Sequence, residues 1–328
     1  MKKIRWGIVS TAKIAREWLI PALHASQHAE VVAVASRDLA KAEAFAEKAG
    51  IPKAYGSYEA LLADPNVDAI YNPLPNDQHV PVSMQAIKAG KHVLCEKPLG
   101  MDAANIQPLL ELAAANPQLV VMEAFMYRFH PQWVKVREII ESGDLGQINA
   151  VEADFTYFNR DENNVRNKPG IGGGGLLDIG CYCISAARFI FGREPKRVTG
   201  MLDIDPQFGV DRHATGLLDF GPGMATFYCS TQSDSSQWVK ISGEKGSLIV
   251  ENPFYRRDMP SRLLLRNGDT DKEIVVGHYN HYVQQVDAFC AAINESLPAP
   301  TPLSDALGNI KVIDAVFKAA ETGAWVEL

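Results

Sequence analysis

Gly90-Lys91-His92-Val93-Leu94-Cys95-Glu96-Lys97-Pro98 joins an apolar strand to a charge pair and a proline. His92–Cys95 is a short apolar run of the kind that forms an interior strand of a parallel sheet. It leads straight into a carboxylate, an ammonium and an imino acid. In open α/β sheets ligands bind outside the carboxyl ends of the strands, and Glu96 and Lys97 fall at that end. Pro98 has a fixed φ and no N–H, so the strand stops and the Lys97 backbone is restricted. Glu-Lys-Pro by itself reads as a surface ion pair; the segments around Ser10 and Asp178 turn the reading towards a site.

On either side of this stretch, strand and helix signals alternate at short intervals, which predicts βαβ units. Strands are expected at Ile4–Val9, Val31–Ala35, Val67–Tyr71, His92–Cys95 and Leu119–Met122. Helices are expected over Ala12–His24 (bent or restarted at Pro21), from Asp38 to Gly50, over Tyr58–Ala63 behind Ser57, over Pro81–Ala89, and from Asp102 to near Asn116-Pro117. After Glu123 the texture changes. A helix over Pro131–Ser142, alternation over Ile148–Phe158, a polar loop to Pro169, a glycine run and a helix at about Leu176–Phe191 come first. Strand-like segments then recur between the turn signals Phe220-Gly221-Pro222-Gly223, Gly243-Glu244-Lys245-Gly246 and Asn267-Gly268-Asp269. Helices near Tyr282–Glu295 and Leu303–Thr322 finish the chain. The expected architecture is α/β. A Rossmann-type doubly wound parallel sheet occupies 1–122, and an α+β domain with an open, mostly antiparallel sheet occupies 123–328.

Composition narrows the function classes. The 328 residues, 47% hydrophobic and 22% charged, suit a globular enzyme of two domains. A net charge of −7 argues against nucleic acid as a partner and gives no hint of a membrane surface. Cys95, Cys181, Cys183, Cys229 and Cys290 include no Cys-x-x-Cys pair, which predicts reduced thiols in the cytoplasm and no metal site. Lys2-Lys3 is followed only by the short apolar stretch Ile4–Val9, so neither a signal peptide nor a membrane span is expected.

The first strand-to-helix junction reads Ser10-Thr11-Ala12-Lys13-Ile14-Ala15. A dinucleotide fingerprint has three glycines spaced G-x-G-x-x-G, letting the backbone approach a pyrophosphate at a helix N-terminus. Here those positions are Ser10, Ala12 and Ala15, all small and none glycine. Ser10, Thr11, Ala12 and Ile14 are the cofactor-binding candidates of this turn. An NAD enzyme usually ends its second strand in an acidic residue that binds the ribose 2′-hydroxyl. This chain has Ala35-Ser36-Arg37-Asp38. Ser36 leaves room, and Arg37 offers a bidentate cation for a 2′-phosphate. Asp38, the competing acidic residue, stands where a helix N-cap is needed, so NADP is favoured over NAD. Asn72-Pro73-Leu74-Pro75-Asn76-Asp77-Gln78-His79 adds a stiff loop at the same sheet edge. Leu74, Asn76 and His79 are candidates there, although Asn76 also reads as a turn residue and His79 as a helix cap.

In the second half, Gly172-Gly173-Gly174-Gly175 precedes Leu176-Leu177-Asp178-Ile179-Gly180-Cys181-Tyr182. Four glycines let the backbone pass close to a flat ligand or take positive φ before a helix. Asp178 and Tyr182 are four apart and share a helix face. They read as a substrate site, or as a dipole-favoured Asp with a core tyrosine. Arg166 touches substrate or cofactor, or is simply a solvated loop arginine.

Taken together, these segments resemble the Gfo/Idh/MocA oxidoreductases over nearly the whole length. Arg5-Trp6-Gly7-Ile8-Val9-Ser10, Ile51-Pro52-Lys53-Ala54-Tyr55-Gly56-Ser57-Tyr58 and Leu177-Asp178-Ile179-Gly180-Cys181-Tyr182-Cys183 are similar to the dimeric dihydrodiol and NADP-dependent D-xylose dehydrogenase group. Glucose–fructose oxidoreductase is a near cousin, whereas inositol dehydrogenases carry His at the position of Tyr182. The resemblance implies Lys97 and Tyr182 as the catalytic pair, Asp178 on the substrate side and a homodimer or higher oligomer built through the C-terminal sheet. Glu96 is a candidate ligand of the nicotinamide ribose hydroxyls. Which of Tyr182 and Lys97 is the base stays open. Three functions fit: a dehydrogenase of a sugar C1 hydroxyl or cyclic vicinal diol, a reductase of a keto or dicarbonyl sugar, and a cofactor-binding regulator. The last should lack a proton-handling group, and this chain has both Lys97 and Tyr182.

Overall fold

The computed structural model of the chain describes residues 2–254, 260–268 and 270–328. Its contacts divide the chain into two units, Met1–Phe129 with Asn280–Leu307, and His130–Tyr279 with Gly308–Leu328. The first contains strands β1 (Ile4–Val9), β2 (Ala29–Ala35), β3 (Lys53–Tyr55), β4 (Ala69–Asn72), β5 (His92–Cys95) and β6 (Val121–Glu123). They lie in the order β3-β2-β1-β4-β5-β6, with every neighbouring pair parallel. Ile8, Val9, Val34, Ile70, Val93 and Leu94 are fully buried, because helices cover both faces of such a sheet. Each such side chain contributes roughly 1.5–3 kcal/mol by leaving water. The strand order reverses between β1 and β4, and their carboxyl ends bound the crevice where open sheets of this kind take ligands.

Local chemistry explains the helices. Asp38, Ser57 and Asp102 each accept a backbone N–H of their own first turn, from Lys41 at 3.2 Å, Ala60 at 3.1 Å and Asn105 at 2.7 Å. Gly50, at φ 66, ends the helix Leu39–Ala49. Ahead of Pro21, a wide π-turn over Ala15–Leu19 precedes Ile20–Ala25, so the missing donor is absorbed where the ladder already loosens. Three expectations shift. The strand β3 carries no sequence signal, being three residues between Pro52 and Gly56. The helix after β4 runs over Asn76–Lys88, so Pro81 lies inside it and does not start it. Met122–Glu123, expected as a boundary, falls within the first unit, and the helix His281–Glu295 belongs to that unit as well. The helix is held there by Phe289 against Trp6 (5.2 Å between ring centroids), Tyr282 against Trp18 (5.7 Å) and Asp287 accepting from the Ser26 hydroxyl at 2.5 Å.

The second unit contains β7 (Ile148–Phe158), β8 (Arg197–Ile204), β9 (Asp211–Asp219), β10 (Met224–Ser230), β11 (Gln232–Gly243), β12 (Gly246–Glu251), β13 (Ser261–Asn267), β14 (Thr270–Val276) and β15 (Val326–Glu327). Their order is β14-β13-β12-β11-β7-β10-β9-β8-β15, antiparallel except for β7 with β10. Asp269, in the expected turn Asn267-Gly268-Asp269, lies outside the described residues. Alternation sorts the two faces. Val151, Ala153, Phe227, Val239 and Val250 are buried on one. On the other, a single cross-strand row runs Met201, Thr215, Tyr228, Asp154, Trp238, Glu251, Arg262, Val275. No helix among the described residues is long and apolar enough to cross a membrane.

Candidate active site

Ser10 has φ 85, a left-handed conformation uncommon outside glycine, and its N–H donates to the Ala35 carbonyl at 2.8 Å. Its hydroxyl is buried and has no hydrogen-bond partner among the described residues. The helix that follows begins at Lys13 behind Ala12, whose side chain has no acceptor for its first amides. A tight turn, an orphaned hydroxyl and uncapped amides are the groups that a dinucleotide's phosphates satisfy, so these residues fit that cofactor.

At the end of β2, Ser36 Oγ accepts the Asp38 N–H at 3.3 Å. The Asp38 carboxylate is taken by its cap and by Lys41, 3.7 Å away. Arg37 is exposed, pairs with no carboxylate among the described residues, and lies beside the half-buried Tyr58 phenol. Burial raises the Tyr58 pKa, and Arg37 opposes that rise.

The loop after β4 is fixed from within. Asn72 is fully buried, donates to the His79 carbonyl (3.1 Å) and Ser83 Oγ (3.2 Å), and accepts the Leu74 N–H at 3.4 Å. Asn76 is the first residue of the helix. His79 is buried, with Nδ1 2.7 Å from the Pro98 carbonyl and Nε2 2.7 Å from the Leu74 carbonyl. Burial, with the Lys97 charge adding to it, pulls its pKa down to about 4 against the pull of the two carbonyls. Both ring nitrogens face main-chain carbonyls, of Pro98 and of Leu74, and the neutral ring donates to one of them.

Around Glu96-Lys97-Pro98 the supports continue. The Glu96 N–H donates to the Asn72 carbonyl at 3.0 Å, and its Oε1 accepts the Tyr71 hydroxyl at 2.5 Å. Leu99 N donates to Glu123 Oε1 at 2.7 Å. Lys97 therefore sits between anchored neighbours. Tyr71 and Glu123 carry no motif in the sequence; the only trace is a polar group at the carboxyl end of an apolar strand.

In the second unit, Asp178 and Tyr182 lie on one continuous helical segment. A π-turn over Leu176–Gly180 leads into the helix Cys181–Phe191. Asp178 Oδ2 accepts the Tyr157 hydroxyl at 2.6 Å and lies 2.8 Å from Arg166 Nε. The Asp178 charge, then burial against it, sets the Arg166 pKa, which ends up raised; burial, then Asp178, raises that of Tyr157. Arg166 is thus no simple solvated loop arginine. Its carbonyl also accepts the Gly174 N–H at 2.9 Å, and its N–H is bound by Asn164 at 3.0 Å. Tyr157 escapes sequence reading because its partner is distant, although its alternation with Phe155 places it on the inner face. Tyr182 is 5% exposed, its ring 5.6 Å from Phe155 and 5.4 Å from Phe254 between centroids.

The glycine run serves the chain's own packing. A Cβ at Gly173 would meet the Lys168 carbonyl oxygen at 2.5 Å, and one at Gly174 (φ 112) would meet Asp211 Oδ1 at 2.0 Å. Asp211 accepts the Leu176 N–H at 2.6 Å and anchors this end of the helix. All five cysteines are buried free thiols, and no metal-binding cluster of His, Cys, Asp or Glu occurs among the described residues.

Comparison with known proteins agrees with these two halves. Residues 4–124 match the model of an oxidoreductase family with an NAD-binding Rossmann fold, and residues 133–249 match the GFO/IDH/MocA C-terminal domain. D-xylose 1-dehydrogenase (NADP(+)) 2 of Haloferax volcanii is 37% identical, covering 98% of this chain and 99% of its own. Trans-1,2-dihydrobenzene-1,2-diol dehydrogenase of Mus musculus is 39% identical over 76% of this chain and 74% of its own. Among solved structures, the 3-ketoreductase KijD10 from Actinomadura kijaniata, in complex with NADP and TDP-benzene, superimposes with a TM-score of 0.91. It shares 30% identity and covers 97% of this chain and 98% of its own. A phosphate-ready turn after β1, the strand order of the first sheet and matches to both of the family's domains lead to one assignment: the chain belongs to the Gfo/Idh/MocA oxidoreductases.

Proposed function

We propose that the chain is an NADP-dependent dehydrogenase acting on a sugar C1 hydroxyl of the D-xylose or D-glucose type, or on a cyclic vicinal diol. The observation that carries this reading is the arrangement at Asp178 and Tyr182. Two buried polar side chains four residues apart are held by Tyr157, Arg166 and an aromatic wall. The relatives named for D-xylose and dihydrodiol support the substrate class.

Ser10, Thr11, Ala12 and Ile14 would take the phosphates, and Ser36 and Arg37 the 2′-phosphate. Asn76 and Leu74 would line the loop side, and Glu96 the nicotinamide ribose. When bound, the nicotinamide supplies the hydride acceptor. Oxidation also requires the hydroxyl proton to leave, and Tyr182 takes it. A phenol near its ordinary pKa of about 10 is a poor base at neutrality, and an ammonium nearby favours the tyrosinate. Lys97 plays that part and donates to the reacting oxygen; Asp178 orients the substrate through a second hydroxyl. The buried free thiols suit a reducing compartment, the cytoplasm.

A second reading, reduction of a keto sugar with NADPH, is supported by the likeness to a 3-ketoreductase. An absorbance assay for NADPH formation against a panel of aldoses, polyols and cyclic diols tests the first reading. Turnover of an aldose or diol is expected. Oxidation of none of the panel, with NADPH consumed on a keto sugar, would reverse the assignment.

A further inference from the structure

We propose that Tyr71 is a positioning residue for cofactor recognition: its hydroxyl fixes the Glu96 carboxylate in the place where that group binds the nicotinamide ribose. The inference rests on the reading of Glu96 given above and adds a residue to it.

Tyr71 lies in the middle of the first sheet, paired in register with Ile8 of β1 on one side and Leu94 of β5 on the other. It is fully buried, so its backbone and ring have one place to be. A buried phenol needs an acceptor, and a main-chain carbonyl would satisfy it at any point along the sheet. Here the acceptor is instead the carboxylate of Glu96, a half-buried residue one position beyond the end of β5. At 2.5 Å the contact has the length of a charge-assisted O–H···O⁻ bond.

The neighbouring residue of β4 completes a two-point hold. Asn72 receives the Glu96 N–H on its carbonyl at 3.0 Å, fixing the backbone, while Tyr71 fixes the side chain. A glutamate has three side-chain torsions and, held only at its backbone, would sample many rotamers. Ordering those rotamers in advance removes a cost that cofactor binding would otherwise carry. A purely structural tyrosine would not need its partner to be a carboxylate at the ligand end of the sheet.

The test is a double-mutant cycle read by NADPH fluorescence titration, so that binding is measured apart from turnover. Tyr71→Phe keeps the ring and removes the hydroxyl. The dissociation constant for NADPH should rise about tenfold, the size expected for loss of a charge-assisted hydrogen bond, while KM for the sugar stays put. In a Glu96→Gln background Tyr71→Phe should add little. An unchanged NADPH affinity in Tyr71→Phe, or the same factor in both backgrounds, overturns the proposal. Glu96→Gln binding NADPH as well as the parent does would instead overturn the reading of Glu96 itself. Should Tyr71→Phe fold poorly, Glu96→Asp keeps the charge but draws it back from the phenol, and should weaken NADPH by a similar factor. Parent-like binding by that variant counts against the proposal.

Discussion

Asp211 accepts the Leu176 N–H at 2.6 Å, so a carboxylate from β9 closes the start of the helical segment that carries Asp178 and Tyr182. Burial pushes the Asp211 carboxyl up to about 7, with its backbone donors opposing and Asp178 adding to the rise. A carboxyl whose folded pKa lies above its unfolded value binds its proton more tightly when folded. Its stabilising contribution is complete below the ordinary range near 4 and is lost as pH rises towards 7. Thermal melts of the parent and Asp211→Asn should therefore show the parent losing ground between about pH 4 and pH 7. For a chain of this size each kcal/mol corresponds to roughly 1–2 °C. A difference in Tm that stays constant across that range would contradict the assignment.

Arg37 stands exposed at the end of β2 without a carboxylate partner among the described residues, while the adjacent Asp38 is committed to its helix. Arg37→Ala should weaken NADP(H) by about tenfold to a hundredfold, the size of a bidentate charged contact worth roughly 1.5–3 kcal/mol, and should leave NAD(H) nearly untouched. Equal losses for both cofactors in binding titrations would make Arg37 structural.

How much of this was legible in the sequence depends on range. The alternating units, the caps at Asp38, Ser57 and Asp102 and the helix stop at Gly50 follow from chemistry within a few residues, and the sequence predicts them. The strand β3 is too short for a pattern, and Pro81 misleads because the helix starts before it, at Asn76, and runs on through it. The return of the helix His281–Glu295 to the first unit depends on Trp6 and Phe289, far apart in the chain, and no local pattern marks that meeting. The same holds for Tyr157 on Asp178, His79 on Pro98 and Asp211 on Leu176. The glycine run was legible as close approach, but its partner is the protein's own chain.

Asp178 has two donors on one oxygen, Tyr157 and Arg166. Tyr157→Phe or Arg166→Met should each raise KM for the sugar several-fold, and the double variant by more than the product, because one donor partly replaces the other. A loss confined to Tm, with KM unmoved, would confine both residues to the fold.

The outward row of the second sheet leaves Met201 73% and Val275 57% exposed, with Tyr228 and Trp238 between them. An open sheet face of this kind suits a symmetric second copy, the assembly that the family resemblance implies. Light scattering at micromolar concentration should give about twice the 35.9 kDa of one chain, and Tyr228→Arg should lower it. A mass of 35.9 kDa for the parent would rule this assembly out under those conditions.

Steady-state turnover of Tyr182→Phe, Lys97→Met and the double variant tests whether Lys97 and Tyr182 handle the substrate proton as a unit. Tyr182→Phe removes one oxygen and keeps the ring packed against Phe155 and Phe254, so NADPH binding should survive. Turnover should fall by about 10²–10⁴-fold in each single variant. The double variant should be little worse than either, as expected of residues that act together. Near-normal turnover of Tyr182→Phe, or losses that multiply in the double variant, would contradict the account.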